Sequence, residues 1–267
     1  MKRIYQVAFL LAGLALSAGS LAQPYRGTIF FDPDVITADD PSTVVSTTYT
    51  GQGTRRMYDR RLPGWDTVNV FLFDIVFDDG LTTEAQVNDE FETLEAATTV
   101  AKKYAQVVGK LPTCLRTDVD ALWINTGTMP FGGGNRSLLI YTGMSAKYEE
   151  QGILEETLVH EASHTSLDAT HARAEEWKKA AELDGKFISN YAASNPTRED
   201  IAETFLMWIA VRQPVMKISE KDFSAITETV PNRLIYFDTQ SLNMYPLKLN
   251  VPETSVGGNK LPSPEKP

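Results

Sequence analysis

The chain has 267 residues, with 25 Lys and Arg against 35 Asp and Glu, a formal net charge of −10, 42% hydrophobic residues and a single cysteine. So acidic a balance disfavours nucleic acid and anionic lipid as partners, and one cysteine excludes an internal disulfide framework. The length and apolar content suffice to bury a core, as one domain or as two lobes facing a cleft.

Residues 1–22 carry Lys2 and Arg3, an apolar run from Val7 to Gly19, then Ser20-Leu21-Ala22. That is the pattern of a cleaved signal peptide, with cleavage expected after Ala22 and a secreted or periplasmic mature protein. The apolar run is too short to span a bilayer as a mature helix. No other segment approaches spanning length, so the mature chain is expected to have no membrane span. No cysteine follows the cleavage site, so no lipid anchor is indicated, and losing Lys2 and Arg3 moves the charge from −10 to −12.

Strands are expected at Thr28–Phe31, Val44–Tyr49 and Val68–Phe77, the last ending at Asp78-Asp79-Gly80, a turn signal. Arg55 to Arg61 reads as a solvated loop. From Glu90 to Leu111, Leu94, Ala97, Val100, Ala101, Tyr104 and Val108 recur at helical spacing, which predicts an amphipathic helix packed on the sheet and closed at Gly109 or by Pro112. Cys114, between Leu111 and Leu115, reads as a small buried residue; nothing flanking it supports the alternative of a thiolate metal ligand. Two further strands, Ala121–Asn125 and Ser137–Tyr141, bracket Gly132-Gly133-Gly134-Asn135. The glycine run lacks the Lys-Ser/Thr of a phosphate loop. It is expected to make a turn or bulge, with the further option that the bulge leaves Ser137–Tyr141 as a free edge strand to which an extended peptide can pair.

The next helix, from about Ile153 to Leu167, contains His160-Glu161-Ala162-Ser163-His164, an HExxH pentad. Positions i and i+4 share a helical face, so His160 and His164 can hold one metal ion, with Glu161 beside it as a base for water. Two solvated histidines are the bland alternative. Against it, all three histidines of the chain (His160, His164, His171) fall within twelve positions, and neither Gly nor Pro interrupts Ile153 to Ala169. Asp168 reads as an outer acceptor for a ligating imidazole or as a solvated helix-end acid. A helix from Ala172 to Leu183 stops at Gly185. Another opens after Asn195-Pro196, with Thr197 as N-cap, Asp200 three residues on, and Ile201, Phe205, Trp208 and Ile209 inward. The tail 251–267, rich in Pro, Gly and Ser, is expected to be disordered.

A catalytic zinc takes three protein ligands and keeps a position for water. His171 lies eleven residues after His160, with Leu167 where zincins that use a third histidine place a glycine. It fits poorly. Glu199 is the better candidate: with Glu203 it forms an i, i+4 acid pair on one face, so Glu199 can bind the metal while Glu203 accepts a hydrogen bond from a ligand imidazole. Two solvated surface acids are the alternative.

The run from Tyr191 through Glu199, Ala202, Glu203 and Phe205, following an HExxH helix, resembles the zincin metallopeptidases whose third ligand is glutamate, and is similar to the lethal-factor type. The stretch His160 to Asp168 also looks like exported bacterial proteins described as zinc peptidases. The match covers about Gly152 to Trp208, and the tyrosine spacing departs by one residue from the lethal-factor pattern. The resemblance implies Zn2+ as cofactor, ligands His160, His164 and Glu199, base Glu161 and electrophile Tyr191; Glu203 and Asp168 are read as outer acceptors from their own positions. It implies an α+β, zincin-like fold: a twisted N-terminal sheet with the active-site helix (23–167) and a helical C-terminal lobe (168–250). The expected activity is hydrolysis of a peptide or protein substrate. The alternatives are a zinc hydrolase of another amide or ester, and a binding protein that keeps the zinc site without turnover.

Overall fold

The computed structural model describes residues 23–31, 35–215 and 217–252. The expected leader and all but the first two residues of the expected tail lie outside them. Among the described residues the architecture is mixed α+β: one six-stranded sheet and ten α-helices. No helix there is long and apolar enough to cross a membrane.

The strands are β1 (Val44–Asp59), β2 (Gly64–Phe77), β3 (Thr82–Asn88), β4 (Ala121–Asn125), β5 (Gly132–Gly134) and β6 (Ser137–Tyr141), in spatial order β1-β2-β3-β4-β6-β5. The first three form an antiparallel meander, β4 and β6 continue it in parallel, and β5 folds back antiparallel on the outside of β6. Period-2 alternation sorts the side chains onto two faces. Phe71, Phe73, Leu122, Ile124, Leu138 and Ile140 enter the main core, whereas Val70, Leu72, Trp123, Leu139 and Tyr141 form a small second cluster on the opposite face.

Three expectations are corrected here and one unexpected strand is added. Thr28–Phe30 is a 3-10 turn, not a strand, because the Thr28 amide donates to Glu203 Oε2 (2.8 Å) and ties this segment to the helices. Arg55 to Asp59 belongs to β1: Arg55 pairs with Val68 across the ladder, and its guanidinium forks onto Glu84 at 2.7 and 2.8 Å. Strand β3 was not anticipated, since its polar residues hide the apolar signal; Thr83, Gln86 and Asn88 are buried, with Thr83 bonded to the Val119 carbonyl and Asn88 to Asn125. Finally, β6 is no free edge, because β4 and β5 flank it.

The helices are α1 (Leu94–Val108), α2 (Thr113–Arg116), α3 (Thr142–Glu150), α4 (Leu154–Ser166), α5 (Asp168–His171), α6 (Glu175–Asp184), α7 (Asn190–Ser194), α8 (Asp200–Arg212), α9 (Glu220–Thr229) and α10 (Pro231–Asp238). Helix α1 starts at Thr93, whose hydroxyl accepts the Ala96 amide (3.1 Å), and buries Ala97, Ala101, Tyr104, Ala105 and Val108 toward the sheet. Helix α6 ends at Gly185 in the left-handed conformation, φ 61°. All residues of α8 are buried, so it is a central helix rather than one with a single inward stripe. It packs against α4 within one core cluster that runs from Phe31 to Met244.

Candidate metal centre

Helix α4 carries the pentad two turns into an uninterrupted helix, and the 3.6-residue period stacks His160 over His164. A carboxylate sits behind each ring, hydrogen-bonded in one case only. Asp168 Oδ2 lies 2.8 Å from His164 Nδ1, which fixes Nδ1 as the donor and leaves the Nε2 lone pair pointing forward. Glu203 Oε1 lies 3.3 Å from His160 Nδ1, without the alignment of a hydrogen bond.

Glu199 comes from the start of α8, which begins later than the expected Thr197 cap. Thr197 is exposed, and the Asn195 carbonyl accepts the amides of Arg198 (3.1 Å) and Glu199 (2.9 Å), making a turn that leaves Glu199 itself at the N-cap. Its carboxylate does not cap the helix but reaches the imidazoles. Asp200, expected to close a capping box, instead pairs with Arg233 at 3.0 Å.

Three ligand atoms converge. His164 Nε2 lies 3.0 Å from Glu199 Oε2, while His160 Nε2 lies 3.2 Å from both Glu199 Oε2 and His164 Nε2. Tetrahedral coordination with bonds of about 2.0–2.1 Å separates ligand atoms by about 3.3 Å, so the triangle is close to the right size for one ion. The donor chemistry fits too: two imidazole lone pairs and a carboxylate oxygen would repel one another without a positive charge between them.

The electrostatics agree. Burial opposes a cationic His160, yet the carboxylates of Glu199 and Glu203 overcome it and raise its pKa to about 10. Burial likewise opposes charge on His164, and Asp168 and Glu199 raise it to about 9. Glu199 is pulled well below the usual carboxylate range, because His160 and His164 outweigh the cost of its burial. The site therefore favours positive charge, as protons or as a metal cation.

No family model, no curated protein and no solved structure matches this chain. The chemistry of the site must be read from its own donors and walls. Glu161 and His160 face a cavity of about 260 Å³ whose other walls include Ile29, Phe30, Pro130, Tyr148 and Tyr191. The Tyr191 ring stacks on His160 at 6.2 Å between centroids. Burial and the neighbouring Glu199 carboxylate keep its hydroxyl protonated by raising its pKa. Its backbone is fixed by a hydrogen bond that the Tyr191 amide donates to the Arg26 carbonyl (3.1 Å).

His171 stands apart: it is buried, its Nδ1 lies 2.7 Å from the Tyr236 hydroxyl, and burial lowers its pKa. Cys114 lies against Met244, Sγ to Sδ 3.6 Å, with its thiol pushed up to about 12 by burial, and it is no part of the ligand group.

The structure also brings residues to the site that sequence reasoning did not single out. Phe30 and Tyr148 wall the cavity, and no local pattern announces them. Gly133 does have a signal, the glycine run, and its role is close approach: a Cβ there would collide with the backbone carbonyl of Glu161. The neighbouring Gly134 amide donates to Thr165 Oγ1 on α4 (2.8 Å), pinning β5 to the pentad helix.

Proposed function

We propose that this chain is an exported zinc metallopeptidase with a zincin-like fold, hydrolysing peptide bonds with Glu161 as general base. The observation that carries this reading is the meeting of His160 Nε2, His164 Nε2 and Glu199 Oε2 within 3.0–3.2 Å of one another, next to a cavity that also holds Glu161. His160, His164 and Glu199 would hold a zinc ion there, which would supply Lewis acidity and make water acidic enough to give hydroxide near neutral pH. Glu161 takes the proton from the attacking water and passes it to the leaving amine. Tyr191, with its hydroxyl held protonated, donates a hydrogen bond to the carbonyl oxygen as negative charge develops there. Asp168 holds the His164 ring in the tautomer that leaves Nε2 free to bind.

Support for a zincin-like arrangement comes from a mixed sheet laid against α4, with a later helix furnishing the third ligand. Zinc content and peptide cleavage, measured in the wild type and in Glu161→Gln, test the assignment. The variant is expected to keep one zinc per chain and to lose about 10²–10⁴-fold in kcat. Undiminished cleavage by Glu161→Gln refutes the base, and absence of stoichiometric zinc in the wild type refutes the centre.

A further inference from the structure

A second cavity, of about 400 Å³, is lined by Tyr58, Arg60, Trp65, Trp123 and Arg198 together with Gly132–Asn135, Ser137 and Leu139. Its aromatic floor is continuous: Tyr58 meets Trp65 edge to face at 5.7 Å, and Trp65 meets Trp123 at 5.3 Å. Two arginines are its charged groups, beside Asn135 and Ser137, and no carboxylate lines it, in a chain where acids outnumber bases 35 to 25.

The other arginines of this hairpin are accounted for. Arg55 pairs with Glu84, Arg61 with Asp59 and Glu90, and Arg56 lies over the Trp65 ring at 5.0 Å. Arg60 has no acidic partner within ion-pair distance among the described residues. Its amide donates to the Tyr141 hydroxyl (2.6 Å), and its guanidinium rests against Gly132. Arg198 touches Glu199 at 3.3 Å through Nε, with most of its side chain exposed. The cavity thus abuts the metal centre twice, through Arg198 beside Glu199 and through Gly133 against Glu161.

We infer that this cavity is the substrate subsite for a peptide carboxylate, either an acidic side chain or the chain's own C-terminus. The inference rests on the peptidase reading above and narrows its substrate class. A guanidinium presents paired donors in the fork geometry that a carboxylate accepts, and the indole floor can carry the aliphatic part of the same residue.

The test uses the full mature chain loaded with zinc and two peptide series. One is blocked at both ends and varies Glu, Gln and Lys at each position around the cleaved bond; the other has a free C-terminus and no acidic side chain. The expected result is a preference of about tenfold or more in kcat/KM for the carboxylate form in one series, falling to about twofold in R60Q and reversing toward Lys in R60E. The series that shows the preference identifies which carboxylate is bound. As a check without mutation, the wild-type preference should shrink as ionic strength rises. Binding of the same peptides to zinc-loaded Glu161→Gln, read by indole fluorescence, separates the two proposals. Carboxylate- and Arg60-dependent binding without any cleavage by the wild type sinks the peptidase reading and keeps the subsite. Cleavage with no carboxylate preference, or with a preference that survives R60Q, overturns the subsite and keeps the peptidase.

Discussion

The two faces of the sheet are built on opposite terms. On the helix-covered face, charge is buried and answered inside the protein: Arg233 by Asp184 and Asp200, Arg212 by Asp238, and the imidazoles by Glu199 and Asp168. On the open face, a cluster of seven buried residues is roofed by Trp65, 44% exposed, and Arg60 faces a cavity with no acidic partner among the described residues. Mutually satisfied charge holds side chains in one geometry, which suits a fixed point for an ion. Charge left unanswered on an aromatic floor is what a ligand from outside can use.

The contrast can be broken or sharpened by experiment. Phe205→Ala, at a fully buried position of α8, is expected to cost about 3–5 kcal/mol in denaturant unfolding; a loss under about 1 kcal/mol would mean that this face is not the tightly packed one. The imidazoles give a pH signature. Their folded pKa values, about 10 for His160 and about 9 for His164, lie above the unattached value of 6.5. Their stabilisation of the metal-free protein is therefore complete below about pH 6.5 and lost as pH rises through about 9 to 10. A thermal scan of metal-free protein should show Tm falling by about 5–10 °C over that window. Zinc-saturated protein should stay level, having no proton there to lose, and parallel curves would remove the imidazole pair as the cause. Asp168→Asn, which weakens the acceptor behind His164, is expected to loosen zinc by about 10–100-fold in a chelator competition; unchanged affinity would make Asp168 a bystander. The smallest effect belongs to the open face. Trp65→Ala should lower stability by about 1 kcal/mol or less, because the ring is half in water already.

How much of this was legible in the sequence depended on where the deciding contact lay. Strands β4 and β6 are short unbroken apolar runs and were read to the residue, and α1 was found from its 3.6-residue spacing with its start four residues early. The pentad and the i, i+4 acids pointed to two helices, and the structure brings their side chains together. Local pattern failed where a distant partner decides. The segment at Thr28 looks like a strand, but its amide goes to Glu203, 175 residues away. The polar strand β3 hides behind side chains that are paired only once the sheet has formed. Arg60 sits in a basic run that resembles any solvated loop and stays exposed, and only the hairpin's arrival beside β5 sets its guanidinium against Gly132 at the cavity.

The three consecutive glycines of β5 differ in how replaceable they are. At Gly132 an added methyl meets only the movable end of Arg60, and at Gly134 it meets open space but an unfavourable φ of 113°. At Gly133 it meets rigid main chain of the pentad helix. Anyone collecting distant relatives of this chain therefore has a filter independent of the histidines: a true relative keeps the middle glycine, whatever drift has done to its two neighbours.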